Sequence, residues 1–197
     1  MNIVVFFSGT GTNLQSILQN EKKLNYKVIS TFTNNPNASG IDISKNFNVD
    51  CKILDHKKFD SREEFDEEIN FYLQKLNPDY VILAGYMRIL SNFLVENWKQ
   101  KIINIHPSLL PKYPGLNTHE KALLAGDKLH GTTIHYVTSD LDAGPIIRQQ
   151  SIEIEPDDTI ESLTEKIKKI ENKKNPETKS NLKNAYIYLI LILNTNI

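Results

Sequence analysis

Short, unbroken apolar runs recur along the first hundred residues, each followed by a stretch with helical spacing. No other feature limits the fold as much. Ile3, Val4, Val5, Phe6 and Phe7 open the pattern and are cut off by Ser8-Gly9. A strand with one wet face alternates apolar and polar residues, whereas a strand apolar throughout is covered on both faces. Residues 80–84 repeat the signal through Val81, Ile82 and Leu83, and 27–33, 51–54 and 101–105 read as further short strands. Between them, residues 12–19, 38–46, 62–76 and 92–98 place apolar side chains three and four apart. Phe65, Ile69, Tyr72, Leu73 and Leu76 make 62–76 the clearest helix. Strand and helix in alternation predict a parallel sheet with helices on both faces and right-handed crossovers. Ligands of such sheets sit beyond the carboxyl ends of the strands. The residues to watch are therefore Ser8-Gly9, Gly85-Tyr86 and His106-Pro107.

The pattern changes after residue 106. Pro107, Pro111, Pro114 and Gly115 form a loop without a helix. A short helix is expected over 119–125, strands over 132–137 and 146–154, and a helix over 159–170 capped by Asp157 or Asp158. Asp140-Leu141-Asp142-Ala143-Gly144 lies in the connection between the two strands. Residues 171–183 are rich in Asn and Lys, and 185–193 are nearly all apolar. Periodicity leaves strand and helix equally open for that last run.

Composition narrows the function. A chain of 197 residues suits one domain. With 23 Lys plus Arg against 24 Asp plus Glu, bulk charge does not favour a nucleic-acid partner. Cys51 is the single cysteine, so an internal disulfide and a cysteine-rich metal site are excluded. The histidines at 56, 119, 130 and 135 lack metal-ligand spacing, so no metal is expected. The apolar start has no basic leader and the late apolar run is too short to span a bilayer. The expectation is a cytoplasmic protein without a membrane partner.

Three groups could carry chemistry. Ser8-Gly9-Thr10-Gly11-Thr12-Asn13 follows a strand and opens a helix, so its backbone N–H groups could converge on an anion. It reads equally as a tight capped turn. Leu14 stands where a dinucleotide fingerprint needs its third glycine, and no Gly-Lys-Ser/Thr follows. Asn104 and His106 lie two apart on a strand and face one side. An amide there can stabilise an oxyanion and an imidazole can move a proton, although two such residues also make an ordinary structural pair. Asp142 within about 4–6 Å of His106 would raise the imidazole pKa, but spacing does not establish the contact. Ser108 lacks the strand–turn–helix setting of a serine nucleophile.

These segments, taken in order, resemble folate-dependent formyltransferases, and among them the phosphoribosylglycinamide formyltransferases. They are Ser8-Gly9-Thr10-Gly11-Thr12-Asn13, Phe59-Asp60-Ser61-Arg62-Glu63, Leu83-Ala84-Gly85-Tyr86-Met87-Arg88-Ile89-Leu90, Asn104-Ile105-His106-Pro107-Ser108-Leu109-Leu110-Pro111, His130-Gly131-Thr132-Thr133 and Leu141-Asp142-Ala143-Gly144-Pro145. The resemblance covers residues 1–171 and implies a single α/β domain with a seven-stranded, mostly parallel sheet and a Rossmann-like N-terminal part. It implies a nucleotide-binding half at 1–106, a folate and catalytic half at 107–171, and a divergent tail at 172–197. Asn104, His106 and Asp142 would be catalytic, with His106 kept protonated by Asp142. Gly11, Thr12, Asn13 and Glu171 would hold the phosphate and ribose of glycinamide ribonucleotide. Arg62, Met87, Arg88, Ile89, Leu90 and Asn104 would line the site for 10-formyltetrahydrofolate, and residues 111–118 would be a lid. The implied partners are these small molecules alone, for a monomer or homodimer. A formyltetrahydrofolate deformylase, or a relative that binds without turnover, is the alternative. Glu171-Asn172 departs from the family's usual Glu-His, and beyond it the likeness ends.

Overall fold

The computed structural model describes residues 1–172; the apolar run at 185–193 lies outside them. Seven strands form one sheet: β1 (Asn2–Phe7), β2 (Lys27–Thr33), β3 (Cys51–Ile53), β4 (Tyr80–Leu83), β5 (Ile102–His106), β6 (Leu129–Tyr136) and β7 (Ile146–Glu153). Their order is β3-β2-β1-β4-β5-β6-β7. The pairs β1–β2, β1–β4, β2–β3 and β4–β5 are parallel and β6–β7 is antiparallel. The helices are α1 (Thr12–Asn20), α2 (Gly40–Asn46), α3 (Arg62–Leu76), α4 (Asn92–Asn97), α5 (Thr118–Leu124) and α6 (Ile160–Asn172).

The described residues divide into two compact units: 1–104 with Tyr136–Ser139, and 105–135 with 140–172. In the first unit, β1 is buried on both sides, as its apolar run requires. Val4 and Phe6 join Phe65, Ile69 and Leu73 of α3 and Leu94 and Val95 of α4 in one apolar cluster. Phe7 points the other way and meets Gly40 of α2. Helix α3 begins at Ser61, whose hydroxyl accepts from the Glu64 N–H, and ends at Asn77 in a left-handed conformation.

In the second unit, Leu163, Ile167 and Ile170 form the buried stripe of α6, which packs against α5 and β7. Strand β6 begins at Leu129, three residues before the sequence predicts it. His130 and Gly131 give little strand signal, but both residues are buried and their backbone pairs with Ile152 and Ser151 of β7. Gly131 is required there, because a Cβ would stand 2.1 Å from the Gln150 carbonyl oxygen.

Candidate active site

The turn after β1 is built from backbone. Gly11 caps α1 with φ 74°, and a Cβ on it would come within 2.7 Å of the Gly40 Cα. Only glycine combines that conformation with that approach. The Gly40 N–H donates to the Gly9 carbonyl at 3.1 Å, which ties the turn to α2. Thr12 is exposed and Asn13 half-buried at the start of α1.

The turn after β4 is tied to the same place. Ser8 Oγ accepts from the Met87 N–H at 2.9 Å and donates to Asn34 Oδ1 at 2.6 Å. The Ser91 N–H donates to the Asp66 carboxylate. Burial raises the Asp66 carboxyl despite the Ser91 N–H, Arg88 and Arg62 nearby. Between these anchors Met87 is 70% and Ile89 52% exposed, which leaves two apolar side chains on offer to a ligand. Leu90 instead belongs to the core, so only its backbone is on offer. The Arg88 guanidinium lies over the Phe65 ring at 5.1 Å, and Arg62 is exposed at the start of α3.

Strand β5 ends in Asn104-Ile105-His106, and strand alternation sends Asn104 and His106 to one face. His106 is buried, with its Nδ1 3.4 Å from Asp142 Oδ2. Its Nε2 donates to the Tyr113 carbonyl at 2.9 Å. Asp142 has φ 51°, a left-handed conformation that an Asp tolerates better than most residues. The turn brings its carboxylate between two imidazoles, since His135 Nε2 lies 3.6 Å from Oδ1. The Gly115 N–H donates to Oδ2 at 2.8 Å. Glu171 is buried in the same unit and accepts from Thr132 Oγ1 at 3.2 Å, a hydroxyl that also reaches the His106 carbonyl.

The charge of His106 corrects the sequence expectation. Burial pulls its pKa below the ordinary imidazole value, and the Tyr113 carbonyl and Asp142, which both raise it, do not make up the loss. His106 is therefore mainly neutral near pH 7, not the cation expected from Asp142 alone. Burial by itself would raise the Asp142 carboxyl, but His135, the Gly115 N–H and His106 outweigh it and keep it below the carboxylate range. The arrangement is a neutral imidazole beside an ionised carboxylate. A proton arriving at Nδ1 would gain Asp142 as its partner.

Sequence reasoning dismissed His135, yet the structure puts it against Asp142. Its place at the end of a strand, one turn before Asp140-Leu141-Asp142, was the available signal. The contacts of Tyr113 and Gly115 are made by backbone atoms and carry no residue-type signal. Another dismissed pair also meets: His119 Nδ1 and His130 Nε2 are 2.9 Å apart. One ring must donate and the other accept, so both cannot be protonated. Among the described residues, no group of three or more His, Cys, Asp or Glu could hold a metal ion, and no helix is long and apolar enough to cross a membrane.

The histidine pair makes stability depend on pH. Burial, reinforced by His119, lowers the His130 pKa to about 4, whereas in the unfolded chain it titrates near 6.5. Between those values the unfolded state binds more protons. This contribution is thus complete above the unfolded value, and stability falls as pH drops from about 6.5 toward about 4. Thermal melts at pH 7 and pH 4.5 should show a smaller drop for His130→Asn than for the parent. Equal drops in both proteins would remove His130 from the account.

The chain is similar to known proteins over most of its length. The family model described as formyl transferase matches residues 1–178. The chain is 43% identical over 169 residues to the phosphoribosylglycinamide formyltransferase of Escherichia coli strain K12, covering 85% of this chain and 80% of the relative. The crystal structure of the Bacillus halodurans phosphoribosylglycinamide formyltransferase superposes with a TM-score of 0.90 at 36% identity, covering 100% of this chain and 97% of that one. The structure of the Coxiella burnetii phosphoribosylglycinamide formyltransferase gives a TM-score of 0.84 at 42% identity, covering 90% and 84%.

Proposed function

The chain belongs to the formyl transferase family, and from that we propose that it transfers a formyl group from 10-formyltetrahydrofolate to the amine of 5-phosphoribosylglycinamide. The products are formylglycinamide ribonucleotide and tetrahydrofolate, a step of purine biosynthesis. The observation that carries this reading is the buried His106–Asp142 pair at the carboxyl end of β5. The names and lengths of the relatives support it.

In this reading the unprotonated amine attacks the formyl carbon, and the carbonyl oxygen becomes an oxyanion. The Asn104 amide donates to it. His106 Nδ1 takes the proton that the amine sheds, and the new cation is balanced by Asp142. The proton passes to N10 of the folate as the bond between N10 and the formyl carbon breaks, which restores neutral His106. Gly11, Thr12 and Asn13 hold the ribonucleotide phosphate at the start of α1, and Glu171 serves the ribose end. Arg62, the exposed Met87 and Ile89, Arg88 and the backbone of Leu90 serve the folate.

The test is incubation with glycinamide ribonucleotide and 10-formyltetrahydrofolate while tetrahydrofolate is monitored. Release that requires the ribonucleotide supports the transfer. Release without it replaces the transfer with hydrolysis of the formyl group. Folate binding with no release in either case means the chain binds but does not turn over.

A further inference from the structure

We infer that Asp127 is a positioning residue for His106, acting through Tyr113 to decide which imidazole nitrogen exchanges protons. The inference rests on His106 as the proton carrier of the proposed transfer. A neutral imidazole carries one N–H, and the partner of one nitrogen fixes the role of the other. A backbone carbonyl only accepts. While the Tyr113 carbonyl sits 2.9 Å from Nε2, that nitrogen keeps the proton and Nδ1 stays open beside Asp142. If the carbonyl moved away, Nδ1–H could donate to the Asp142 carboxylate instead. The open lone pair would then be on the wrong side of the ring.

The Tyr113 carbonyl is held in place at some cost. Tyr113 has φ 57°, a left-handed conformation unfavourable for a residue with a large side chain. Such a conformation persists only where its surroundings hold it. On one side, Lys112 is fixed by the turn itself: its N–H donates to the Leu109 carbonyl and its carbonyl accepts from Ser108 Oγ. On the other side, Gly115 is held by Asp142. Tyr113 is held by its hydroxyl, which donates to Asp127 Oδ2 at 2.8 Å. Lys112 Nζ closes the same clamp, 2.8 Å from Oδ1 and 2.9 Å from Oδ2.

Asp127 is well placed for this work. It follows Gly126 in the connection between α5 and β6, and its N–H donates to the Ala122 carbonyl at 3.2 Å. Its side chain is only 16% exposed, although Lys112 beside it reaches solvent. The titratable groups facing Asp127 are Lys112, the Tyr113 phenol and His130; those facing His106 are Asp142, His135, Lys121, His119 and His130. Asp127 makes none of the His106 contacts itself. Its effect on His106 passes through one tyrosine.

The test compares Asp127→Ala, Asp127→Asn and Tyr113→Phe with the parent, by steady-state kinetics and by nitrogen NMR of the histidine rings. Asp127→Ala and Tyr113→Phe should lower kcat about 10- to 100-fold with KM little changed, the scale of a misplaced catalytic group. The His106 ring resonances of the unliganded variants should move from the Nε2–H form toward the Nδ1–H form. Asp127→Asn keeps an oxygen that accepts the Tyr113 hydroxyl, so it should recover most of kcat and keep the Nε2–H form. Parent-like kcat in both Asp127→Ala and Tyr113→Phe would overturn the inference. A loss of kcat with the Nε2–H form intact would also overturn it, because the clamp would then be structural only. If Asp127→Ala fails to fold, Tyr113→Phe, which deletes a single hydroxyl, carries the same two readouts. If the parent itself shows no transfer, the proposed function fails, while the ring resonances still decide the link from Asp127 to His106.

Discussion

His106→Ala is expected to lower kcat by about 10²–10⁴, the span that a positioned acid–base group contributes. The methyl group left behind cannot move a proton, and it leaves the Asp142 carboxylate without the imidazole 3.4 Å away. Asn104→Ala should cost about 10²–10³ through the loss of one oxyanion donor. Ribonucleotide binding, measured by calorimetry, should survive in both variants, because the Ser8–Asn13 turn is held by Gly40, Asn34 and Met87. The pH dependence has a definite sign. Burial lowers the His106 pKa, and the neutral ring is the form that accepts the proton. The acid limb of kcat/KM should therefore lie below about 6.5, with activity falling as pH drops. An enzyme that needed cationic His106 would instead lose activity as pH rises through that pKa. A His106→Ala variant that retained most of its kcat would remove the imidazole from the mechanism altogether.

Phe6→Ala should destabilise the protein by about 3–5 kcal/mol, the usual range for emptying a buried aromatic position. Typical total stabilities are about 5–15 kcal/mol, so this is a large fraction. Phe6 is fully buried. Its ring stacks on Phe32 with centroids 4.4 Å apart and meets the edge of Tyr86 at 5.4 Å. Its neighbours lie on a parallel strand and on the turn after β4, elements whose backbones are already paired and cannot close over the void. The midpoint of urea unfolding should fall sharply. Phe47→Ala, at an exposed site in the same unit, should scarcely move it. A cost for Phe6→Ala below about 1 kcal/mol would mean that this cluster is not where the stability lies.

Some of this was legible without coordinates. Strands β1 and β4 declare themselves because burial on both faces leaves an unbroken apolar run, and the clearest helix because burial on one side leaves spacing of three and four. Both signals are local. The shared face of Asn104 and His106 follows from the two-residue period of a strand. The start of β6 was missed because His130 and Gly131 are held by pairing with β7, not by any preference of their own.

What the sequence alone determined, then, is the alternating architecture and the position of Asn104 and His106 at the end of a strand. The tertiary structure decided the rest of the catalytic group. It placed Asp142 and His135 together through a left-handed turn, set a Tyr113 carbonyl on Nε2, and ran the clamp from Asp127 through the tyrosine side chain. It also reversed the expected charge of His106, because burial outweighs a neighbouring carboxylate. The physical reason is common to all of these. Periodicity records which way a side chain points. Backbone acceptors, contacts between distant segments and the loss of solvent depend on what the rest of the chain brings alongside.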